Sequence, residues 1–326
     1  MRKDERLKAA LAGQAVDRPP VAFWRHWPGD DQQLESLVEA ALNFQRQWDL
    51  DFIKLPVSST YAVSDWGVKH EYQGSPNGDR AYLERAIRQP EDWDKIQPLD
   101  VARGTYGWTL QAIRKLIGKK DRDTPLVVTM FNPLSVAFYL AGDETCRVHL
   151  REHPARVERA LEAICDTSAA FAAAAIEAGA DGIFLSAKQA SFEDVSEEEY
   201  RRFGRFGDLR VLRAASQGWL NILHLHGQHP MFEMVADYPT QAFNWHDHTT
   251  RSLSQVRGLF PGALVGGVEQ YRVLHFGSPA EVAAQVADAI AQTGGRGLIV
   301  SPGCTYPITV PQRNLSALRK AVEKGQ

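Results

Sequence analysis

Short apolar runs of strand character alternate along this chain with longer segments whose apolar residues recur at helical spacing. Runs rich in β-branched and aromatic residues, bounded by Gly, Pro, Asp or Asn, mark strands. In order they are Pro20–Trp24, Asp51–Leu55, Leu126–Met130, Gly182–Leu185, Leu220–His224, Gln241–Trp245, Ala263–Gly267 and Gly297–Val300. Between them the spacing predicts helices over Gln32–Trp48, Tyr106–Ile117, Pro154–Ala178, Ser196–Ala215, Pro230–Asp237, Leu253–Leu259 and Pro279–Thr293. Ser196 followed by three glutamates, and Ser278 followed by Pro279, give two of these helices good starts. Eight strands alternating with helices predict an α/β fold, a (β/α)8 TIM barrel. No Gly-x-Gly-x-x-Gly follows a strand and no phosphate loop occurs, which argues against a doubly wound sheet.

No repeat, low-complexity stretch or linker divides the chain, so residues 1–326 are expected to form a single barrel domain. The segment 57–121 is long for one connection. It carries Trp66, Trp93 and Trp108 and is expected to extend over the barrel mouth. Composition narrows the partners. A net charge of -3 gives no reason to expect nucleic acid or an anionic membrane surface. No run of about 18 apolar residues is present, and the charged N-terminus lacks an apolar signal core. The three cysteines, Cys146, Cys165 and Cys304, are far apart and odd in number, which fits a reducing cytoplasm.

In such barrels the working residues follow the C-terminal ends of the strands. Reading those ends in order gives Arg25, His26 and Trp27; Lys54; Phe131 and Asn132; Ser186 and Lys188; His224 and His226; His246, Asp247 and His248; Glu269 and Gln270; then Ser301 and Cys304. Five of the ten histidines lie between His224 and His248. Residues two apart on a strand share a face, so His224 and His226 point the same way. If these strands belong to one barrel, three histidines and Cys304 converge, and that donor set suits zinc. The bland alternative for the histidine pair is a satisfied polar pair, and for Cys304 a small buried hydrophobe.

Four segments resemble the uroporphyrinogen decarboxylase superfamily: Asp17–Arg25 (DRPPVAFWR), Phe131–Tyr139 (FNPLSVAFY), Gly182–Ser186 (GIFLS) and Pro302–Pro307 (PGCTYP). The resemblance runs from about residue 5 to the end and implies the same barrel. It also implies one of two chemistries. The metal-free tetrapyrrole decarboxylases of porphyrin biosynthesis would use Arg25, Tyr139 and Ser186. Against them, His26 and Gly29 replace expected side chains, Cys304 replaces a histidine, and Ser58 stands near where a central Asp is expected. That Asp would stabilise a cationic pyrrole, which a serine does weakly. The zinc methyltransferases carry His-x-Cys after strand five and Cys after strand eight. The resemblance to them implies His224, His226 and Cys304 as zinc ligands, with His248, or less so His246, as a further one. It implies Tyr139, Ser186 and Glu269 as catalytic groups, and Arg25, His26, Lys54, Asn132 and Lys188 as substrate-binding groups. A corrinoid is the expected co-substrate, a corrinoid protein and a second copy of the chain the expected partners. A third reading is a corrinoid or tetrapyrrole binder without catalysis.

Overall fold

The computed structural model describes residues 1–323. Its elements in chain order are α1 (Lys3–Leu11), α2 (Leu34–Trp48), β1 (Ile53–Leu55), α3 (Tyr61–Ser64), β2 (Lys69–Tyr72), β3 (Arg80–Glu84), a 3-10 turn (Pro90–Lys95), α4 (Gly104–Lys119), β4 (Leu126–Phe131), α5 (Pro133–Ala141), α6 (Asp143–Glu152) and α7 (Pro154–Glu177). There follow β5 (Gly182–Ser186), α8 (Glu197–Phe203), α9 (Arg205–Ala214), β6 (Ile222–His224), α10 (Phe232–Val235), β7 (Ala242–Asn244), α11 (Leu253–Arg257), β8 (Ala263–Val268), α12 (Pro279–Thr293), β9 (Leu298–Pro302) and α13 (Gln312–Ala321). No helix among the described residues is long and apolar enough to cross a membrane.

Seven parallel strands form one sheet in the order β1-β4-β5-β6-β7-β8-β9. The eighth place is taken differently from the expectation. Pro20–Trp24 makes a single bridge, Val21 to Val300, instead of a strand. Pro19 and Pro20 have no N–H to give a ladder, and the Val21 N–H goes to the Asp51 carboxylate at 2.7 Å. The segment nevertheless joins the two sheet edges. Val300 N–H donates to Pro20 at 2.8 Å, Ala22 N–H to Val300 at 3.1 Å, and Asp51 N–H to Val21 at 2.9 Å. The result is a closed barrel whose outer ring is helical.

Two apolar layers hold it. One lies between strands and helices and runs round the whole barrel. The other fills the barrel's lower interior: Leu7 from α1, then Ala22, Trp24, Phe52, Val127, Phe184, Leu220, Ile222, Ala242, Ala263, Val265 and Ile299. Alternating large and small residues let these side chains fill the tapering space. The next inward positions upward are polar: Lys54, Thr129, Ser186, His224, Asn244 and Ser301. Apolar packing therefore ends partway up the barrel, and a polar floor begins there.

The structure differs from the expected helices in several places. Ser196–Ala215 breaks into α8 and α9 at Gly204, where a Cβ would meet the Tyr200 ring at 2.6 Å. Helices α1, α3, α5, α6 and α13 were not expected. Asn132 starts α5, its side chain accepting from the Ser135 N–H at 3.0 Å, with Pro133 in the first turn. In segment 57–121 the three tryptophans do not cover the mouth. Trp93 is core and donates to His149 Nδ1 at 3.0 Å, Trp66 donates to the Gln97 carbonyl at 2.9 Å, and Trp108 packs on the core. What reaches the mouth is the β2–β3 hairpin. It is anchored by the buried Arg80–Asp31 ion pair, by Ile308 N–H donating to Pro76 at 2.8 Å, and by Tyr82 against Tyr139.

Candidate metal centre

Parallel register sets the site. Ser186 on β5 lies opposite His224 on β6, and His224 opposite Asn244 on β7. All three face inward just above the Phe184 and Ile222 layer. The His224 imidazole stacks on the Phe184 ring, 5.3 Å between centroids and 28° between planes. Its Nδ1 lies 2.6 Å from Asn244 Oδ1. Past the strand ends, His226, His246 and Cys304 complete a group with His224 whose four donor atoms lie within 4.8 Å of one another. Cys304 Sγ is 3.6 Å from His224 Nε2 and 3.6 Å from His226 Nδ1, and His246 Nε2 is 3.2 Å from His226 Nδ1.

Close backbone approach delivers the cysteine. Gly303 lies against the turn after β7, where a Cβ would meet the Trp245 carbonyl at 2.8 Å and His246 Cα at 3.1 Å. Only glycine lets the end of β9 come this near, and Cys304 follows it into the cluster.

Electrostatically the cluster is an acceptor set. Burial, with the neighbouring histidines, pushes His224 well below its ordinary value, and burial pulls His226 down to about 3. His246 is lowered by burial too. All three rings are therefore neutral near pH 7, with a lone pair available, and burial pushes the Cys304 thiol up to about 11. Neutral imidazoles and a displaceable thiol proton are what a soft or borderline cation requires. Tetrahedral zinc puts two nitrogens about 3.4 Å apart and a nitrogen and a sulfur about 3.6 Å apart. The three closest contacts match that geometry, so the residues present fit a zinc ion.

The cluster borders a cavity of about 360 Å³ that opens at the strand C-termini. His224, His226 and Cys304 line it, while His246 stands behind them with Nδ1 3.2 Å from the Gln270 amide. The rest of the wall is aromatic and cationic. Trp24, Phe131, Tyr82, Tyr139, Phe184 and Tyr271 supply the rings; Arg25, Lys54, Arg80 and Lys188 supply the charge. Lys54 Nζ sits 4.5 Å from the Phe184 ring centre and 5.3 Å from that of Trp24, and the Arg25 guanidinium lies 4.0 Å over Trp27. Burial pulls Lys54 down to about 7.

Several sequence expectations meet here. Arg25, His26, Lys54, Tyr139, Ser186 and Lys188 all line the cavity, and His224, His226 and Cys304 converge. Three do not reach it. His248 is outside the cluster because the chain leaves extended geometry after β7. Thr249 and Thr250 N–H groups bond back to His246, forming a turn in which the two-residue alternation no longer applies. His248 faces Gln285 and Asp247 instead, and His246 takes the place expected for it. Glu269 is buried and spends its carboxylate on the loop after β8, accepting from the N–H groups of Tyr271 at 3.0 Å, Val273 at 3.1 Å and Arg272. Asn132 is fully buried, capping α5 and donating to Asp208 at 2.8 Å. Ser58 also stays off the wall, bonded to Thr60 Oγ1 at 2.8 Å.

The hairpin residues Asn77, Asp79, Arg80 and Tyr82, and Tyr271 from the β8–α12 loop, were missed. Asp79 brings a carboxylate to the cavity, 3.3 Å from His26 Nε2. The strands KHEY and RAYLE carry little apolar alternation, so the sequence offered only the Pro76-Asn77-Gly78 turn as a signal.

A family model described as uroporphyrinogen decarboxylase (URO-D) matches residues 2–325. Among curated proteins, the methylcobamide:CoM methyltransferase MtbA of Methanosarcina acetivorans is 23% identical over 331 residues, covering 96% of this chain and 95% of that protein. The methylcobamide:CoM methyltransferase MtaA of Methanosarcina barkeri is 24% identical over 330 residues, with the same coverage. Among solved structures, a methyltransferase from Methanosarcina mazei superposes with a TM-score of 0.86 at 24% identity, covering 99% of both chains. A B12-independent methionine synthase from a Shewanella species gives 0.60 at 14% identity, covering 94% of both.

Proposed function

The chain belongs to the uroporphyrinogen decarboxylase family, and within it we propose that this protein is a zinc-dependent methyltransferase that passes a methyl group from a corrinoid carrier to a small thiol. The observation that carries this reading is the His224, His226, His246 and Cys304 cluster bordering the cavity. The similarity to methyltransferases named for a methylcobamide donor and a CoM acceptor supports the choice of substrates.

His224, His226 and Cys304, which line the cavity, would hold the ion, with His246 behind them as an exchangeable fourth ligand whose place an incoming thiol could take. Bound there, the ion would supply Lewis acidity that turns an incoming thiol into a thiolate nucleophile. The remaining work belongs to the wall. Lys54, Lys188 and Arg25 bind and orient anionic parts of the substrate. The rings of Trp24, Phe184 and Tyr139 exclude water, which strengthens those charged contacts. His26 is held by Asp79, and Ser186 places a hydroxyl beside His224 on the floor. A cavity of about 360 Å³ suits a small acceptor. A corrin macrocycle would present its methyl group from the mouth, carried there by a corrinoid protein.

The test is metal content by plasma mass spectrometry on the wild type and on Cys304→Ser, followed by methyl transfer from methylcobalamin to small thiols. About one zinc per chain, lost in the variant, together with thiol methylation, is the expected result. A wild type that takes up no zinc sinks the reading, and metal-free turnover of uroporphyrinogen would then replace it.

A further inference from the structure

Asn244 stands directly behind the cluster, fully buried, and its three hydrogen bonds determine one another. Its amide nitrogen donates to the Val265 carbonyl at 2.8 Å and toward the Pro302 carbonyl at 3.4 Å. Both partners can only accept, so the amide has one orientation: nitrogen toward β8 and β9, oxygen toward β6. That oxygen lies 2.6 Å from His224 Nδ1. An amide oxygen also only accepts, so Nδ1 must carry the proton. The ring's one lone pair is then on Nε2, the atom that faces Cys304 Sγ at 3.6 Å. The Phe184 ring, stacked on the imidazole, fixes its plane.

We infer that Asn244 is a positioning residue that commits His224 to a single tautomer, with Nε2 aimed at the cluster, and ties together four neighbouring strands, three of which lead to the cluster's donors. The inference deepens the metal reading and rests on it for its purpose. His224 is on β6 and His226 just beyond it; Asn244 is on β7, ahead of His246; Val265 is on β8; Pro302 ends β9, two residues before Cys304. One side chain therefore fixes both the donor atom of His224 and the spacing of the strands around it. A free neutral imidazole populates both tautomers. Without the amide, some His224 rings would turn an N–H toward the cluster and be unable to ligate.

The test is long-range proton–nitrogen correlation NMR on metal-free protein labelled at the histidine ring nitrogens, with His224 assigned through His224→Ala. The wild type should show His224 protonated at Nδ1 alone. Asn244→Ala should show a mixture of tautomers, and Asn244→Asp, which keeps the accepting oxygen, should restore the Nδ1–H form. A purely structural clip would not move this signature. Zinc affinity, read by competition with a chromophoric chelator, should fall about 10–100-fold in Asn244→Ala. His224 protonated at Nε2 in the wild type overturns the inference, as does an unchanged tautomer and affinity in Asn244→Ala. If Asn244→Ala does not fold, the wild type and Asn244→Asp spectra decide. A wild type that binds no zinc overturns the metal reading alone, because the tautomer is measured without metal.

Discussion

The two ends of the barrel bury ionisable groups in opposite ways. At the N-terminal end, Asp51 is fully buried and faces only donors. Arg6 reaches it at 2.6 Å, Arg18 at 2.7 Å and the Val21 N–H at 2.7 Å. Arg6 also holds Asp17, at 2.7 Å, and keeps that carboxyl well below the usual range. At the C-terminal end, His224, His226, His246 and Cys304 crowd one another at 3.2–3.6 Å, three neutral imidazoles and a thiol with no charged partner among them. Folding alone rewards the first arrangement, since each buried polar group finds its complement. It rewards the second, a set of neutral contacts, far less, and a shared cation would make that arrangement strongly favourable. The difference separates the end that holds the fold from the end that carries the chemistry.

The largest expected effect is at the structural end. Asp51→Ala leaves two guanidinium groups and one N–H without their shared acceptor. Breaking a buried pair in this way costs about 3–5 kcal/mol. The same residues tie α1 and the Pro20–Trp24 segment to β1, so the loss should come with loosening of the barrel closure. Urea denaturation of the variant and wild type measures it. A cost below about 1 kcal/mol would mean that the bottom network is not what closes the barrel.

Next in size is stabilisation by metal at the other end. Zinc at about a thousand times its dissociation constant should stabilise the wild type by about 4 kcal/mol. In Cys304→Ser and His226→Leu that gain should be lost, while the metal-free variants unfold near the metal-free wild type. Thermal scans with zinc and with chelator give all the values. If the metal-free variants were as damaged as Asp51→Ala, the cluster would be structural and the comparison would fail.

Lys54 links the two ends, since it sits where apolar packing meets the polar floor. Burial pulls it down to about 7, whereas in the unfolded chain it titrates near 10.4. Below about pH 7 both states are protonated and the full burial cost is present. Between about pH 7 and pH 10 the unfolded chain binds one proton more than the folded one. Stability should therefore rise with pH there, by up to about 1.4 kcal/mol per unit. Lys54→Met removes that slope. It should be more stable than wild type below pH 7, with the gap closing toward pH 10, in chelator-treated protein. Parallel stability profiles for the two proteins would show that Lys54 titrates normally and is not held in a dry site.

Much of this division was readable from residue order. The strand alternation located seven strands of the sheet and, through the rule for barrel ends, His224, His226 and Cys304. Pro20–Trp24 failed as a strand because backbone donors decide ladders, and apolar pattern does not report that two prolines and an Asp51 contact have removed them. His248 was favoured over His246 only through the family resemblance; the chain turns after β7, and it is His246 that stays in the cluster. In sequence Asn132 looks substrate-binding and Glu269 catalytic, since polar residues at strand ends suggest chemistry. Which of them face the cavity depends on caps and loops made by residues up to 76 positions away, as with Asn132 and Asp208. The hairpin wall was invisible because its strands are half exposed on both faces and carry no strong period.

Glu269 gives the smallest and sharpest test of the contrast. Like Asp51 it is a buried carboxylate satisfied by donors, yet it lies at the chemical end. Its partners are backbone N–H groups of the loop that brings Tyr271 to the cavity. A carboxylate so engaged has little left to offer a metal or a substrate proton. Glu269→Gln keeps one accepting oxygen and loses the charge, so stability should drop by about 1 kcal/mol. Zinc stoichiometry should stay at one per chain, because the four donors are untouched. If zinc is lost while the fold holds, Glu269 belongs to the metal site after all, and the carboxylate at the chemical end is then not a purely structural group as Asp51 is.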